Sequence, residues 1–412
     1  MQTLDRTSPP PFLQSLEFKL PVAEKITPHI WLVPAPDQDV VQVDIVFETG
    51  KVDEAIPGLA QFAVQLLNKG VKGKPSEEIA NELDYYGAHL EATAGFDFSS
   101  LTLSMLSKNL KRLLPLLKLL LESPSYPESE ISLYRNNYSE NLKLNLQKND
   151  YLASNFIRKN LYGNHAYGKA IQAGDLQNIN QENIFSFYSA HLMPSKIFIV
   201  GNIEPDDLKF ISKELNASSS KANKYPSIES TEASKEIFDG PNKSQASIKL
   251  GQITIQRSHK DYPQLQMLNH LLGGFFGSRL MKNIREEKGL TYGIYSSLRN
   301  YLQSTNLIIS AEVNADKHEQ ALMEILKEVE QLNNISEAEL SITRNHLIGS
   351  LQNDISTVFA ASERIKNIEM YGLPVNYYQN LIDVVSKANQ EILSGIVTKY
   401  FNPEKLSTVV VR

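Results

Sequence analysis

A repeat at constant offset limits the fold more than any other feature of this chain. Asn180-Gln181-Glu182 returns 209 positions later as Asn389-Gln390-Glu391, and Pro194 ahead of the apolar run 196–200 returns at the same distance as Pro403 ahead of 405–409. Ser129-Glu130-Ile131-Ser132 lies over Ala338-Glu339-Leu340-Ser341, Arg135 over Arg344, and 114–118 over 323–327. A shift held over so long a stretch implies two homologous halves in one polypeptide. Within the halves, alternating apolar runs at 41–47, 101–106 and 306–313 read as strands, and the spacing over 128–148 and 335–352 predicts long helices. Strands followed by a block of helices predict an α+β fold: two homologous halves, each a mostly antiparallel sheet covered on one side by helices. The Ser-, Ala-, Lys- and Glu-rich stretch 216–236 has no periodicity and reads as a linker. The expected division is an N-terminal arm over 1–20, a first domain over 21–215, the linker, and a second domain over 237–412.

Composition excludes several chemistries. With 41 basic against 47 acidic side chains the formal charge is −6, and no basic stripe stands out, so nucleic acid is not an expected partner. The absence of cysteine removes disulfides, thiolate nucleophiles and sulfur-based zinc sites. No apolar run approaches the roughly 18–20 residues of a membrane span. Residues 1–14, with Asp5, Arg6 and Pro9-Pro10-Pro11, lack the basic start and apolar core of a secretory signal. A cytoplasmic protein without a membrane partner is therefore expected. No two of the 8 histidines are three or four positions apart, so a helical zinc-binding pair is not available. There is no Gly-x-Ser-x-Gly elbow, and Gly273-Gly274-Phe275-Phe276-Gly277 lacks the Gly-Lys-Ser/Thr of a phosphate loop.

Residues 57–70 read as a helix opened by Pro57-Gly58 and closed by Gly70. Gln61, Gln65 and Asn68 recur at i, i+4 and i+7 and form a polar stripe, which either faces a cavity or is satisfied by its own neighbours. Phe47-Glu48-Thr49-Gly50, Asp53-Glu54, Pro57-Gly58-Leu59-Ala60 and Lys69-Gly70 together resemble the pitrilysin/insulinase family of zinc metallopeptidases, in the branch similar to mitochondrial processing peptidase. That family carries an inverted zinc motif, His-x-x-Glu-His, in this segment; here the matching positions hold Gln61, Val64 and Gln65. Two neutral imidazoles grip the ion and the glutamate activates its water, whereas an amide oxygen is a poor zinc donor and valine exchanges no proton. The resemblance implies a distal glutamate ligand near 138–142, where Ser139-Glu140-Asn141 stands. Asn141 is its first expected equivalent and Glu140 the alternative, Glu140 otherwise reading as a solvated helix carboxylate. No metal is expected in this chain.

The second half keeps what the first has lost. Gly273, Gly274, Ser278, Arg279, Leu280, Arg285, Glu286, Gly289, Leu290 and Tyr292 are similar to the family's C-terminal segment, which implies that Arg285 and Tyr292 hold the substrate backbone. Helical spacing over 278–288, a stop at Gly289 and an alternating run over 290–298 can bring the two toward one place. From residue types alone, Arg285 could equally pair with Glu286 or Glu287, and Tyr292 could be a half-buried strand residue. Phe275 and Phe276 read either as core or as a loop offered to a peptide, and Lys108, Lys111, Arg112 and Lys118 as a solvated helix face. The resemblance implies a non-catalytic, substrate-binding subunit of a heteromeric zinc-dependent peptidase. Its partner would be a homologous catalytic subunit carrying His-x-x-Glu-His and the zinc, and its ligand a peptide. A structural scaffold and a stand-alone homodimeric peptide-binding protein are the alternatives.

Overall fold

The computed structural model describes residues 18–218, 227–229 and 231–412. The expected N-terminal arm, up to residue 17, and part of the linker lie outside the described residues. The strands are β1 Glu24–Thr27, β2 Ile30–Pro34, β3 Val40–Phe47, β4 Gly70–Val71, β5 Lys74–Pro75, β6 His89–Ala94, β7 Ser99–Leu106, β8 Lys196–Gly201, β9 Lys235–Phe238, β10 Gln245–Thr254, β11 Thr291–Asn300, β12 Thr305–Asn314 and β13 Ser407–Val411. They form a sheet ordered β1-β2-β8-β3-β7-β6, a second ordered β11-β12-β10-β13-β9, and a β4-β5 ribbon. Every pairing is antiparallel except β2 with β8 and β13 with β9, which gives the mixed, mostly antiparallel pair of sheets expected from the sequence.

The first half adds helices α1 Leu59–Gln65, α2 Ser76–Tyr85, α3 Leu110–Glu122, α4 Glu128–Leu146, α5 Asn149–Tyr162, α6 Ala173–Gln177, α7 Gln181–His191 and α8 Pro205–Glu214. The second adds α9 Tyr262–Asn269, α10 His318–Glu330, α11 Glu337–Asn353, α12 Val358–Tyr371, α13 Tyr377–Lys387 and α14 Gln390–Tyr400. The repeated residues are structural fixtures. Asn180 and Asn389 are the N-caps of α7 and α14, accepting from the Asn183 and Ile392 N–H groups at 3.0 and 2.9 Å. The residue before each cap is held by the repeated arginine. Arg135 Nη2 donates to the Ile179 carbonyl at 2.7 Å, and Arg344 Nη2 donates to the Ala388 carbonyl at 2.9 Å.

Alternation along the strands sends one row to each half's own helices. Val41, Val43, Ile45, Ile197 and Ile199 join the first core; Ile248, Leu250, Leu307 and Ile309 join the second. The opposite faces are covered in part by an exchange that one-sided covering did not anticipate. Helix α5 lies on β10 and β13, where Ala153, Ile157 and Leu161 pack with Ile308, Val409 and Val411. Its counterpart at the repeat offset, α12, returns the contact: Met370 packs with Trp31, Val46 and Phe198, and Ile365 with Val33 and Val200. Both contacts enclose a charge. Asp44, 2% exposed, accepts from Thr102 Oγ1 at 2.6 Å and pairs with Lys366 of α12, while Lys249, whose side chain is 5% exposed, pairs with Asp150 of α5.

The basic face expected near α3 is engaged rather than merely solvated. Lys111 pairs with Asp207 at 2.7 Å and Lys118 with Glu214 at 3.2 Å, both acids lying on α8, and Arg112 approaches Glu82 of α2 at 3.6 Å. Among the described residues, no helix is long and apolar enough to cross a membrane.

Candidate functional site

Helix α1 is shorter than its flanking glycine suggests. It ends at Gln65, because Tyr126 Oη takes the Ala63 carbonyl at 2.9 Å and the Leu67 N–H turns back to Val64 O at 3.3 Å. Asn68 therefore leaves the stripe, and Gln61 and Gln65 remain on it. Gln61 Nε2 donates to Tyr134 Oη on α4 at 3.2 Å, Gln65 Nε2 donates to the Ala92 carbonyl of β6, and Val64 is fully buried. Tyr134 and Tyr138 pack against Phe62, with ring centroids 4.8 and 6.1 Å away. Burial holds both phenols in the protonated form, Tyr138 being pushed up to about 12. Asn141 is exposed on α4, and Glu140 is exposed and bonded to Lys143 at 2.8 Å.

This donor set does not fit zinc. It offers neutral amides already used as donors, two phenols and a sealed valine, where a zinc site needs imidazole, thiolate or carboxylate. Among the described residues, no group of three or more His, Asp or Glu could hold a metal ion. The nearby carboxylate that sequence reasoning did not single out is Glu54. It accepts from the Ala60 N–H at 3.0 Å, and burial pushes it up to about 7. In the sequence it stands in the Asp53-Glu54 pair that helps carry the family resemblance, with no role attached to it.

In the second half, the expected helix over 278–288 takes wide turns, with π-helical geometry over Met281–Glu287. It ends as foreseen. Gly289 has φ +62°, and the Leu290 N–H reaches back to Ile284 O at 2.9 Å. The chain then enters β11 through a bulge between Thr291 and Ile294, held by Thr291 Oγ1, which donates to the Glu312 carbonyl at 2.6 Å and accepts from the Gly293 N–H at 3.1 Å. The bulge sets Tyr292 outward, 97% exposed, rather than half-buried.

Arg285 makes no ion pair with Glu286, Glu287 or any other carboxylate among the described residues. Its guanidinium lies 4.6 Å from the ring centroid of Phe276, which is 60% exposed. No hydrogen bond links Arg285 to Tyr292. Neither phenylalanine joins the core. Phe276 is the exposed ring over Arg285, and Phe275 stacks on His270 and His346, with centroids 5.0 and 4.4 Å away. The two imidazoles are bonded to each other at 2.9 Å, and a Cβ on Gly274 would come within 2.5 Å of His270 Nδ1, so the glycine lets the loop fold onto the pair. One half thus carries a motif helix without metal donors, and the other an exposed phenol and a guanidinium that no carboxylate neutralises.

Comparison with known proteins agrees along the chain. The family description "Insulinase (Peptidase family M16)" matches residues 30–173, and "Peptidase M16 inactive domain" matches residues 178–347. A Bacillus subtilis protein named "Uncharacterized zinc protease YmxG" is 24% identical over 373 residues, covering 88% of this chain and 91% of its own length. A Helicobacter pylori protein named "Non-peptidase homolog YmxG" is 24% identical, covering 86% of this chain and 84% of its own. Among solved structures, a "peptidase M16 inactive domain" from Pseudomonas fluorescens superposes with a TM-score of 0.85 at 26% identity, covering 93% of this chain and 95% of that one. The chain belongs to peptidase family M16, the insulinase family, as a member whose sequence contains no His-x-x-Glu-His.

Proposed function

We propose that this chain is the non-catalytic, substrate-holding subunit of a heteromeric zinc-dependent peptidase. A homologous partner carrying His-x-x-Glu-His would bring the metal, and Arg285 and Tyr292 of this chain would face it across the bound peptide. The observation that carries the reading is the contrast between the two halves. Gln61, Val64 and Gln65 offer no metal donors, yet Arg285 is free of carboxylates and Tyr292 is 97% exposed. A fold retained only as scaffold has no need to keep an unneutralised guanidinium and an outward phenol within one motif. In the complex, the guanidinium fork donates to peptide carbonyls and the phenol adds one further donor. Donors fixed before the substrate arrives stabilise charge on the carbonyl under attack more than donors that must reorganise.

The test is reconstitution. The chain and its partner are purified separately and peptide cleavage is assayed alone and mixed; cleavage is expected only in the mixture. In that mixture Arg285→Ala should lower kcat/KM by roughly 10²–10³-fold, and Tyr292→Phe by a smaller factor, with the complex still assembling. A partner as active alone as in the mixture, or an Arg285→Ala mixture with unchanged kcat/KM, would rule the proposal out.

A further inference from the structure

Two cations from distant parts of the sequence meet over one aromatic ring, and a third, Arg299, interacts electrostatically with one of them. Lys51 Nζ and the Arg158 guanidinium of α5 each lie 5.5 Å from the Phe96 centroid. Phe96 in turn meets Tyr301 edge-on at 5.2 Å, two residues beyond Arg299 of β11. The Lys51 and Val52 N–H groups donate to the Gly95 and Phe96 carbonyls at 3.0 and 3.1 Å, which ties the Lys51 loop to that ring. Arg158 and Lys51 interact electrostatically, as do Arg158 and Arg299. Burial lowers the proton affinity of Lys51 and Arg158; Glu54 and Tyr301 offset this at the two groups respectively, and the like charges add to it in smaller measure.

The neighbouring acids do not close the cluster. Asp97 is engaged by neutral donors, the Tyr167 hydroxyl at 2.5 Å and the Leu302 N–H at 2.9 Å. Asp53 accepts from Thr49 Oγ1 and the Gly50 N–H at 2.8 and 3.1 Å. Glu54 is bound to the Ala60 N–H, is pushed up to about 7 by burial, and interacts electrostatically with Lys51 without forming an ion pair. Among the described residues none of the three cations has a carboxylate within ion-pair distance; Arg158 Nη2 is spent on Asn155 Oδ1 at 2.9 Å and the Lys169 carbonyl at 3.4 Å. Gathering like charges in a half-buried place is unfavourable unless an anion joins them.

Strand β11 joins this cluster to the pair already described. Tyr292, Tyr295, Ser297 and Arg299 are its exposed residues. From Tyr292 to Arg299 the strand covers about 23 Å at ~3.3 Å per residue, the reach of an extended peptide of roughly seven residues. We propose that Lys51, Arg158 and Arg299 form a carboxylate-binding subsite, which captures an acidic side chain or the C-terminal carboxylate of a peptide lying extended along β11 from Arg285 and Tyr292. This rests on the proposed peptide-holding role and deepens it by naming the substrate class. Arginine forks bind carboxylates in two-point fashion, and such charge-assisted bonds form at short range where water is partly excluded.

The experiment measures binding of fluorescein-labelled nonapeptides to the full chain by anisotropy. The series is a neutral peptide with an amidated C-terminus, the same peptide with a free C-terminal carboxylate, and an amidated version with one glutamate placed six to eight residues from the N-terminus. At least one carboxylate-bearing peptide should bind about tenfold or more tightly than the neutral one, and which one it is distinguishes the two sources. The preference should shrink as salt is raised from 50 to 500 mM. Arg299→Gln, at an exposed position, and Arg158→Gln should each abolish most of the preference and leave neutral-peptide affinity unchanged. Equal binding of all three peptides, with neutral binding still lost in Arg285→Ala, would overturn this subsite while leaving the peptide-holding role standing. Binding of none of them would overturn both.

Discussion

Val64 shows at the scale of one residue how closely α1 is packed into the first core. Its side chain is fully buried between Ala63 and Gln65 in the first core, so Val64→Glu places a carboxylate where no partner waits. The variant should lose about 3 kcal/mol or more of stability in urea titrations, a buried unpaired charge being the cause; a loss under 1 kcal/mol would mean that the site still admits water or a cation. Titration gives a second handle at this scale. Burial pushes Glu54 and Glu312 up to about 7, so the fold holds their protons more tightly than the unfolded chain does. Their contribution is fully present below the ordinary carboxyl range near 4.5 and is lost as pH rises through 7. His270 runs the other way. Burial and the neighbouring His346 lower it to about 4, so its contribution is present above 6.5 and lost as pH falls toward 4. Glu54→Gln should therefore flatten the decline in Tm between pH 4.5 and 7 and leave the acid limb unchanged, while His270→Gln should flatten the acid limb only. Thermal unfolding across pH 4 to 8 checks both signs.

At the scale of elements, the sequence was legible wherever a local rule set the structure. Asn180 and Asn389 could be matched because both cap a helix, and Arg135 and Arg344 because both brace the residue before the cap. Gly289 stops its helix as a residue free to take positive φ must. The misjudged ends were set by tertiary contacts: Tyr126, far along the chain, shortens α1 by taking the Ala63 carbonyl. The exchange of α5 and α12 was also invisible, since their apolar rows look like those of any helix and nothing local says which sheet receives them. The charges under these helices provide a test. Lys366→Ala strands Asp44 in the interior and should cost about 3–5 kcal/mol, whereas Asp44→Asn with Lys366→Met should cost much less. A double-mutant cycle by chemical denaturation measures the coupling, and additivity of the single changes would show that the pair contributes little.

On the scale of the whole molecule, family membership and the two-sheet plan were readable because a repeat offset and a dense motif survive in linear order. The candidate site was readable in part. Arg285 and Tyr292 lie within one motif, but the tyrosines packed on α1 and the Lys51, Arg158 and Arg299 cluster draw on segments that only the fold brings together. The helix exchange predicts how the halves behave when the covalent link is removed. A chain cut at a protease site introduced between residues 216 and 236 should still elute as one particle and melt in a single transition, because α5 and α12 keep each half fastened to the other. Fragments that separate on gel filtration would contradict this. The same lacing sets an order on synthesis. When the first half emerges from the ribosome, α5 has no sheet to lie on, and Ile157 and Leu161 stay bare until β10 and β13 have been translated. Since β13 follows every other described strand, the nascent protein carries an unfinished, adhesive surface until that strand has been made.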